Sequence, residues 1–335
     1  MKTRLMLGLP LLVLLGCIAF IAYQKLDTRG VTLLRYAYAS NPAPVKEAID
    51  RFIADVEASS NGRIKVLLFP DGQLGGEREL VELIQIGAID FTKTSAGLLE
   101  SFAPVYGVFS LPYLFDSEQH FYQSMQDAKI MAPIYQATSH LNSVGLTWYD
   151  SGQRSFYTKD RPIRNPADLK GMKIRVMQNQ TSMRTISLLG GSPIAMNNAE
   201  TYSAIQQGII DGAENNEFAI TVPRHGEVAK QYSYDMHTRV PDIVLVNQLS
   251  LDRLPAADRA LIQAAAQRST EYQKQAWHAA IAAAREQAGR EFGVVFNEDV
   301  DIKAFQQAVR PIYDSLDDRP AMRAVFRQIR AGSHS

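Results

Sequence analysis

The 335-residue sequence has one cysteine, Cys17, and no surplus of either charge, with 35 Lys and Arg against 35 Asp and Glu. A lone cysteine excludes an internal disulfide and a zinc site of paired cysteines, and its place in an apolar N-terminal stretch excludes a thiol nucleophile in the body of the chain. Balanced charge without basic runs argues against a nucleic-acid partner. Hydrophobic residues make up 46% and charged residues 21%, which rules out a disordered tail, a collagen-like fibre and a multi-spanning membrane protein. Internal repeats, low-complexity tracts and a Gly/Ser linker are absent. So are the nucleophile elbow G-x-S-x-G, the zinc motif H-E-x-x-H, the P-loop and the dinucleotide loop G-x-G-x-x-G. Gly72, Gly75 and Gly76 lie between a strand and a helix but match neither phosphate loop. No cofactor is expected, and nothing argues for a catalytic nucleophile.

The neutrality is uneven. Residues 1–30 carry Lys2, Arg4, Lys25 and Arg29 against Asp27, which leaves the rest of the chain net acidic. Between Arg4 and Lys25 runs an uncharged, almost wholly apolar stretch, 5–24. It fits both a signal peptide, whose apolar core needs about 7–15 residues, and a spanning anchor of about 20. Leu14-Leu15-Gly16-Cys17 resembles a bacterial lipobox, in which Cys17 would be lipidated. The apolar stretch 18–23 that follows speaks more for an uncleaved anchor or a conventionally cleaved signal. Basic residues before the run place the N-terminus inside and the remainder outside.

The length suggests about two α/β units. Apolar, β-rich runs at 33–38, 64–69, 89–94, 154–158, 173–176, 211–215 and 242–249 read as strands. Helical spacing marks 44–60, 77–87, 181–189 and 199–207. The alternation predicts an α/β fold of parallel βαβ units. The longest helical stretch, 255–292, would reach on the order of 50 Å at 1.5 Å per residue. Its apolar stripe is narrow: Leu261, Ala265, Tyr272, Ala276, Ala280 and Ala284. It reads either as a surface helix on one lobe or as a strut packed on two.

The histidines are scattered, and His225 and His237 are too far apart for a helical metal pair. Each reads as an ordinary surface or hydrogen-bonded residue. Asp299 and Asp301 sit in a loop and helix cap. What stands out is arginine inside apolar strands. In Lys173-Ile174-Arg175-Val176, Arg175 shares a face with Lys173 and opposes Ile174 and Val176. Arg154 opens the run Arg-Ser-Phe-Tyr-Thr. Each is either a strand-edge charge, solvated or paired, or a guanidinium fork awaiting an anion: five coplanar donors match a carboxylate bidentately, and a buried arginine without a partner is costly.

The segments GQLGGERELVELIQIGAIDFTKTSAG (72–97), FSLPYLF (109–115), PADLKGMKIRVMQN (166–179), GGSPIAMNNAETYSAIQQGIIDGAENN (190–216) and HGEVAKQYS (225–233) resemble the solute-binding proteins of TRAP (tripartite ATP-independent periplasmic) transporters. The resemblance spans nearly the whole chain beyond the N-terminal stretch. It implies a two-lobed periplasmic binding-protein fold, type II-like, with a long helix spanning both lobes and a cleft that closes on ligand. On that pattern residues 31–151 with about 240–275 form one lobe, and 152–239 with about 276–335 the other. The resemblance assigns Arg175 to the ligand carboxylate and Arg154 to a second carboxylate or a hydroxyl. Asn215, Glu77, Ser95, Gln178 and Asn216 are further binding candidates. Many members have proline where this chain has Asn216, and the E-N-N form resembles a subgroup that binds hexuronates. The implied protein is no enzyme. It is a periplasmic carrier of an organic acid, delivering to membrane permease subunits. A C4-dicarboxylate carrier, a membrane-tethered ligand sensor, and an enzyme using Glu77 and Glu214 as acid and base are the competing readings.

Overall fold

A computed structural model of the chain describes residues 30–39 and 42–332. The expected export or anchor segment, including Cys17, lies outside them apart from Gly30. Among the described residues no helix is long and apolar enough to cross a membrane.

In chain order the strands are β1 (Thr32–Tyr38), β2 (Ile64–Phe69), β3 (Phe91–Ser95), β4 (Ser143–Tyr149), β5 (Arg154–Thr158), β6 (Lys173–Val176), β7 (Ser192–Ala195), β8 (Gly212–Asn215), β9 (Gln231–Thr238), β10 (Asp242–Asn247) and β11 (Val295–Asn297). They form two sheets, in the orders β2-β1-β3-β10-β4 and β11-β9-β5-β8-β6-β7. The parallel pairing expected of βαβ units holds for β1 with β2 and β3, and for β6 with β7 and β8. It fails at β10, antiparallel to both its neighbours, and at β5, antiparallel to β8 and β9. The reason is chain path. The backbone leaves the first sheet after β4 and returns to it at β10, so a strand that arrives from the other lobe is inserted between β3 and β4.

Each lobe is packed on both faces of its sheet. Helix Ala43–Ser59 starts with Pro42 at its N-cap and a proline in its first turn, where the missing N–H costs nothing. It buries Val45, Ile49 and Phe52 against β1 and β3, and the Phe52 ring packs edge-on to Tyr36 and Phe91 at 6.0 and 5.4 Å. In the second lobe Phe156, Ile174 and Val176 meet Phe305 and Val309, while Lys173 stays in solvent. Helix Ile302–Val309 is capped by Asp301, whose carboxylate accepts from the Ala304 amide at 3.0 Å. The chain then crosses again. Ile312, Leu316, Met322, Val325 and Ile329 join the core of the first lobe, so the stretch 276–335, expected wholly in the second lobe, is shared between the two.

The long helix is Ala256–Phe292. Ile262, Ala265 and Ala266 pack on the first lobe, and Ala288 and Phe292 on the second, which makes it the strut. Its buried stripe differs from the apolar one read in the sequence. Ser269, Thr270 and Gln273 are buried, whereas Tyr272, Ala276 and Ala280 are not. These polar side chains face β4, an edge strand. Thr270 Oγ1 donates to the Trp148 carbonyl at 3.0 Å, and Gln263 Nε2 to that of Leu146 at 3.1 Å. Ser269 Oγ and the Tyr149 hydroxyl share a bond at 2.9 Å. Helix side chains thus cap the open edge that a neighbouring strand would otherwise pair.

The same helix fixes the first crossing. Gln273 Oε1 accepts from the Asp150 amide at 2.8 Å, and Nε2 donates to the Asp150 carbonyl at 2.9 Å. The Asp150 carboxylate receives the Gly152 amide, the Tyr122 hydroxyl and Arg239 of the second crossing. Gly152 has φ +65°, a conformation that favours glycine, and a Cβ there would lie 3.2 Å from the Trp277 indole nitrogen. Gln273→Leu strands two buried backbone groups at about 1–3 kcal/mol each. Urea denaturation should therefore show a loss of roughly 2–6 kcal/mol; coincident unfolding curves would contradict this anchoring role.

Candidate ligand cleft

Between the sheets lies a cleft of about 510 Å³, within the range for small-molecule sites. Its walls come from strand ends, helix starts and the crossings. Lys93, Ser95 and Asp242 lie at the ends of β3 and β10, Glu77 and Arg78 open helix Glu77–Gln85, and Ser151 belongs to the first crossing. Arg154, Arg175, Met177, Gln178, Asn197, Asn198, Asn215 and Asn216 come from the second lobe, and Trp277 from the long helix. All seven binding candidates read from the sequence, Arg175, Arg154, Asn215, Glu77, Ser95, Gln178 and Asn216, line this one cleft.

The two arginines differ in state. Arg154 is 5% exposed and already engaged. Its Nε donates to Glu214 Oε2 at 2.6 Å, Nη2 to the Glu214 carbonyl at 2.7 Å, and Nη1 to Asn215 Oδ1 at 2.8 Å. Arg175 is 4% exposed, and no carboxylate among the described residues lies within ion-pair distance of it. Its Nε and Nη2 both donate to the Met196 carbonyl, at 3.0 and 2.9 Å. Burial depresses its pKa, with Tyr157 and Glu214 only partly offsetting the loss of water. Below it Tyr157 and His225 share a bond at 2.7 Å. Burial, and then Arg175 itself, hold His225 neutral with a pKa down to about 3. Arg175 is therefore a guanidinium fork with spare donors and no carboxylate bonded to it, Glu214 and Glu77 acting on it only from a distance.

The remaining candidates divide by how much of each is free. Asn215 Oδ1 is taken by Arg154 and by the Asn216 amide, so its NH₂ remains to offer. Asn216 is spent on structure: Nδ2 donates to the Ser151 carbonyl at 2.8 Å, and Oδ1 accepts from the Phe218 amide at 3.0 Å. Ser95 caps the short helix Ala96–Leu99 through the Gly97 amide, and its hydroxyl points to Met177 Sδ of the other lobe at 3.3 Å. Gln178 accepts from Arg78 Nε across the lobes at 3.3 Å. The lobes also approach closely at Gly76, where a Cβ would lie 2.2 Å from Asn197 Nδ2.

The sequence profile of the bacterial extracellular solute-binding proteins, family 7, matches residues 36–318. The chain belongs to this family, the solute-binding proteins of TRAP transporters. YiiZ of Salmonella typhimurium is 49% identical over 97% of this chain and 99% of its own. A TRAP periplasmic solute-binding protein of Anaerococcus prevotii, solved with bound D-glucuronate, superposes with a TM-score of 0.87. It is 39% identical and the match covers 90% of this chain and 98% of that one. One from Sulfitobacter with bound β-D-galacturonate gives 0.85 at 32% identity, over 90% and 100%.

Two features of this binding protein were missed in its sequence. Lys93 and Asp242 lie in the cleft wall as a buried pair, Nζ to Oδ2 at 2.9 Å; a lysine inside the buried run Phe-Thr-Lys-Thr was the available signal. Beneath the floor lies a charge chain. Glu214 contacts Arg154 and, at 3.6 Å, His237, whose Nδ1 lies 2.7 Å from Asp235. Glu214 does not line the cleft, so the carboxylate pair it was to form with Glu77 for acid–base work does not exist there. Burial raises its pKa, but Arg154 and His237 outweigh burial and hold it at about 2. Burial lowers His237, yet Asp235 and Glu214 raise it to about 9. The stability that the His237 charge contributes is complete below its ordinary value of 6.5 and is lost as pH rises through about 9. The Glu214 share is present above its ordinary 4.5 and is lost as pH falls through about 2. Melting temperature should accordingly fall more steeply between pH 6.5 and 9 in the wild type than in His237→Gln; parallel curves would contradict the charged state of His237.

Proposed function

We propose that this protein captures a hexuronate outside the cytoplasm and delivers it to a TRAP permease in the membrane, without altering it. The observation that carries the reading is Arg175, a buried guanidinium facing the cleft with no carboxylate of its own. A bound carboxylate supplies the missing partner, and charge-assisted bonds to it are roughly twice as strong as neutral ones. The rest of the cleft suits hydroxyls. Glu77 and Asp242 accept, and the Asn215 amide and Lys93 donate. Trp277 and Phe218, with ring centroids 4.7 Å apart, add an apolar patch of the kind a sugar ring covers. The glucuronate and galacturonate held by the similar solved proteins support the same ligand class. Arg154 serves here as the support that aims Asn215, since Glu214 already neutralises it.

Ligand binding draws the lobes together because each wall holds a different part of the ligand, so closure is favoured by contacts that only the closed form makes. Substituting the two arginines should separate their roles. Arg175→Ala should weaken binding of D-glucuronate or D-galacturonate by about 2–5 kcal/mol in calorimetry. The ligand-free protein should lose no stability, because an unpaired buried charge is removed. Arg154→Ala leaves the buried Glu214 with only His237 at 3.6 Å to offset its charge and should cost about 3–5 kcal/mol of folding stability. An Arg175→Ala protein that binds both hexuronates at wild-type affinity would refute the carboxylate seat.

A further inference from the structure

The wall opposite Arg175 has a charge arrangement of its own. Lys93 is 4% exposed, and its Nζ lies 2.9 Å from Asp242 Oδ2 and 3.5 Å from Glu77 Oε1. The sheet register brings these groups together. Lys93 and Ser95 share one face of β3, and Asp242 pairs in register with Ser95. Glu77 reaches the same point from its helix start, its Oε2 accepting from the Ser95 amide at 3.3 Å and from the Thr94 hydroxyl at 3.5 Å. One ammonium is thus shared between two carboxylates, and the patch is net negative. Asp71, on the same wall, adds to this. The other cation there, Arg78, is drawn aside to Gln178, to the Ser101 hydroxyl and over the Phe102 ring.

A hydroxyl fits such a patch in either role, donating to Glu77 or Asp242 or accepting from Lys93. A carboxylate can only accept, and it meets an ammonium whose charge two carboxylates already claim. Like charges brought together in a closed cleft are strongly disfavoured. Arg175, in contrast, has spare donors and no carboxylate bonded to it, Glu77 and Glu214 reaching it only at longer range. We propose that Lys93, Asp242 and Glu77 form a specificity determinant that seats the hydroxyl-bearing end of a sugar monoacid and rejects ligands carboxylated at both ends. The proposal rests on the hexuronate reading and extends it, since Arg175 alone would accept one end of any diacid.

Calorimetric titration of the purified protein with D-glucuronate and D-glucarate tests it: the two share the six-carbon backbone and its C2–C5 configuration, but D-glucarate carries a carboxylate in place of the anomeric carbon and is open-chain, so the change in preference on neutralising the patch isolates the charge effect. The wild type should prefer D-glucuronate by about thirtyfold or more. Asp242→Asn and Glu77→Gln should each narrow that preference by about tenfold, chiefly by improving D-glucarate binding. Glu77 is part-exposed and its loss leaves the Lys93–Asp242 pair intact, so Glu77→Gln carries the test if Asp242→Asn does not fold. D-glucuronate binding without preference over D-glucarate, or a preference unmoved by the folded variants, would overturn this inference and leave the hexuronate reading standing. Binding of D-glucarate but of neither D-glucuronate nor D-galacturonate, or of none of the three, would overturn both.

Discussion

Removing a charge from water is costly unless another charge replaces the lost solvation, and much of this molecule is arranged around that constraint. The second lobe buries two arginines on β5 and β6, the strands on either side of β8, and treats them in opposite ways. Arg154 receives Glu214 at 2.6 Å, Glu214 in turn meets His237, and His237 meets Asp235. The chain of alternating charges is closed within the protein. Arg175 receives only a backbone carbonyl. The first arrangement makes a rigid floor; the second leaves an electrostatic demand that a ligand must meet. Because the body of the chain beyond residue 30 is net acidic, no long-range positive field draws an anion in. Recognition is local.

Holding such a demand in place requires two lobes fixed in their relation to each other. The two crossings are tied to each other by Asp150 and Arg239, and to the long helix by Gln273. That helix is unusual in burying a polar stripe. Serine, threonine and glutamine face β4 because its edge offers unpaired carbonyls, and a wholly apolar stripe would leave those groups without partners. Farther along, Trp277 turns from packing to lining the cleft. One element therefore covers an edge, secures the first crossing and supplies part of the cleft surface.

Most strands and the candidate cleft were legible in the sequence, because local pattern and family resemblance carry such features. β2, β5 and β6 fall where the apolar runs place them, and Arg175 stands out as a charge in a strand. What was hidden depends on partners distant in the chain. Nothing near Arg154 indicates that Glu214, sixty positions away, neutralises it. Lys93 and Asp242 meet only because β10 returns from the other lobe to lie against β3. The polar face of the long helix was misread for the same reason: Ser269 and Gln273 look like solvent-facing residues until an edge strand is set beside them. Asn216 was identified as a binding candidate by its motif, yet its amide is committed to the crossing at Ser151.

The central claim is that the ligand is held chiefly by its charge on Arg175, with the hydroxyl contacts selecting among acids. The most direct measurement is a calorimetric comparison of D-glucuronate with its amide, D-glucuronamide, which keeps every hydroxyl and replaces the charged carboxylate with a neutral amide. The account predicts tight binding of the acid and a loss of about 2–5 kcal/mol for the amide. Equal affinities for the two would contradict it.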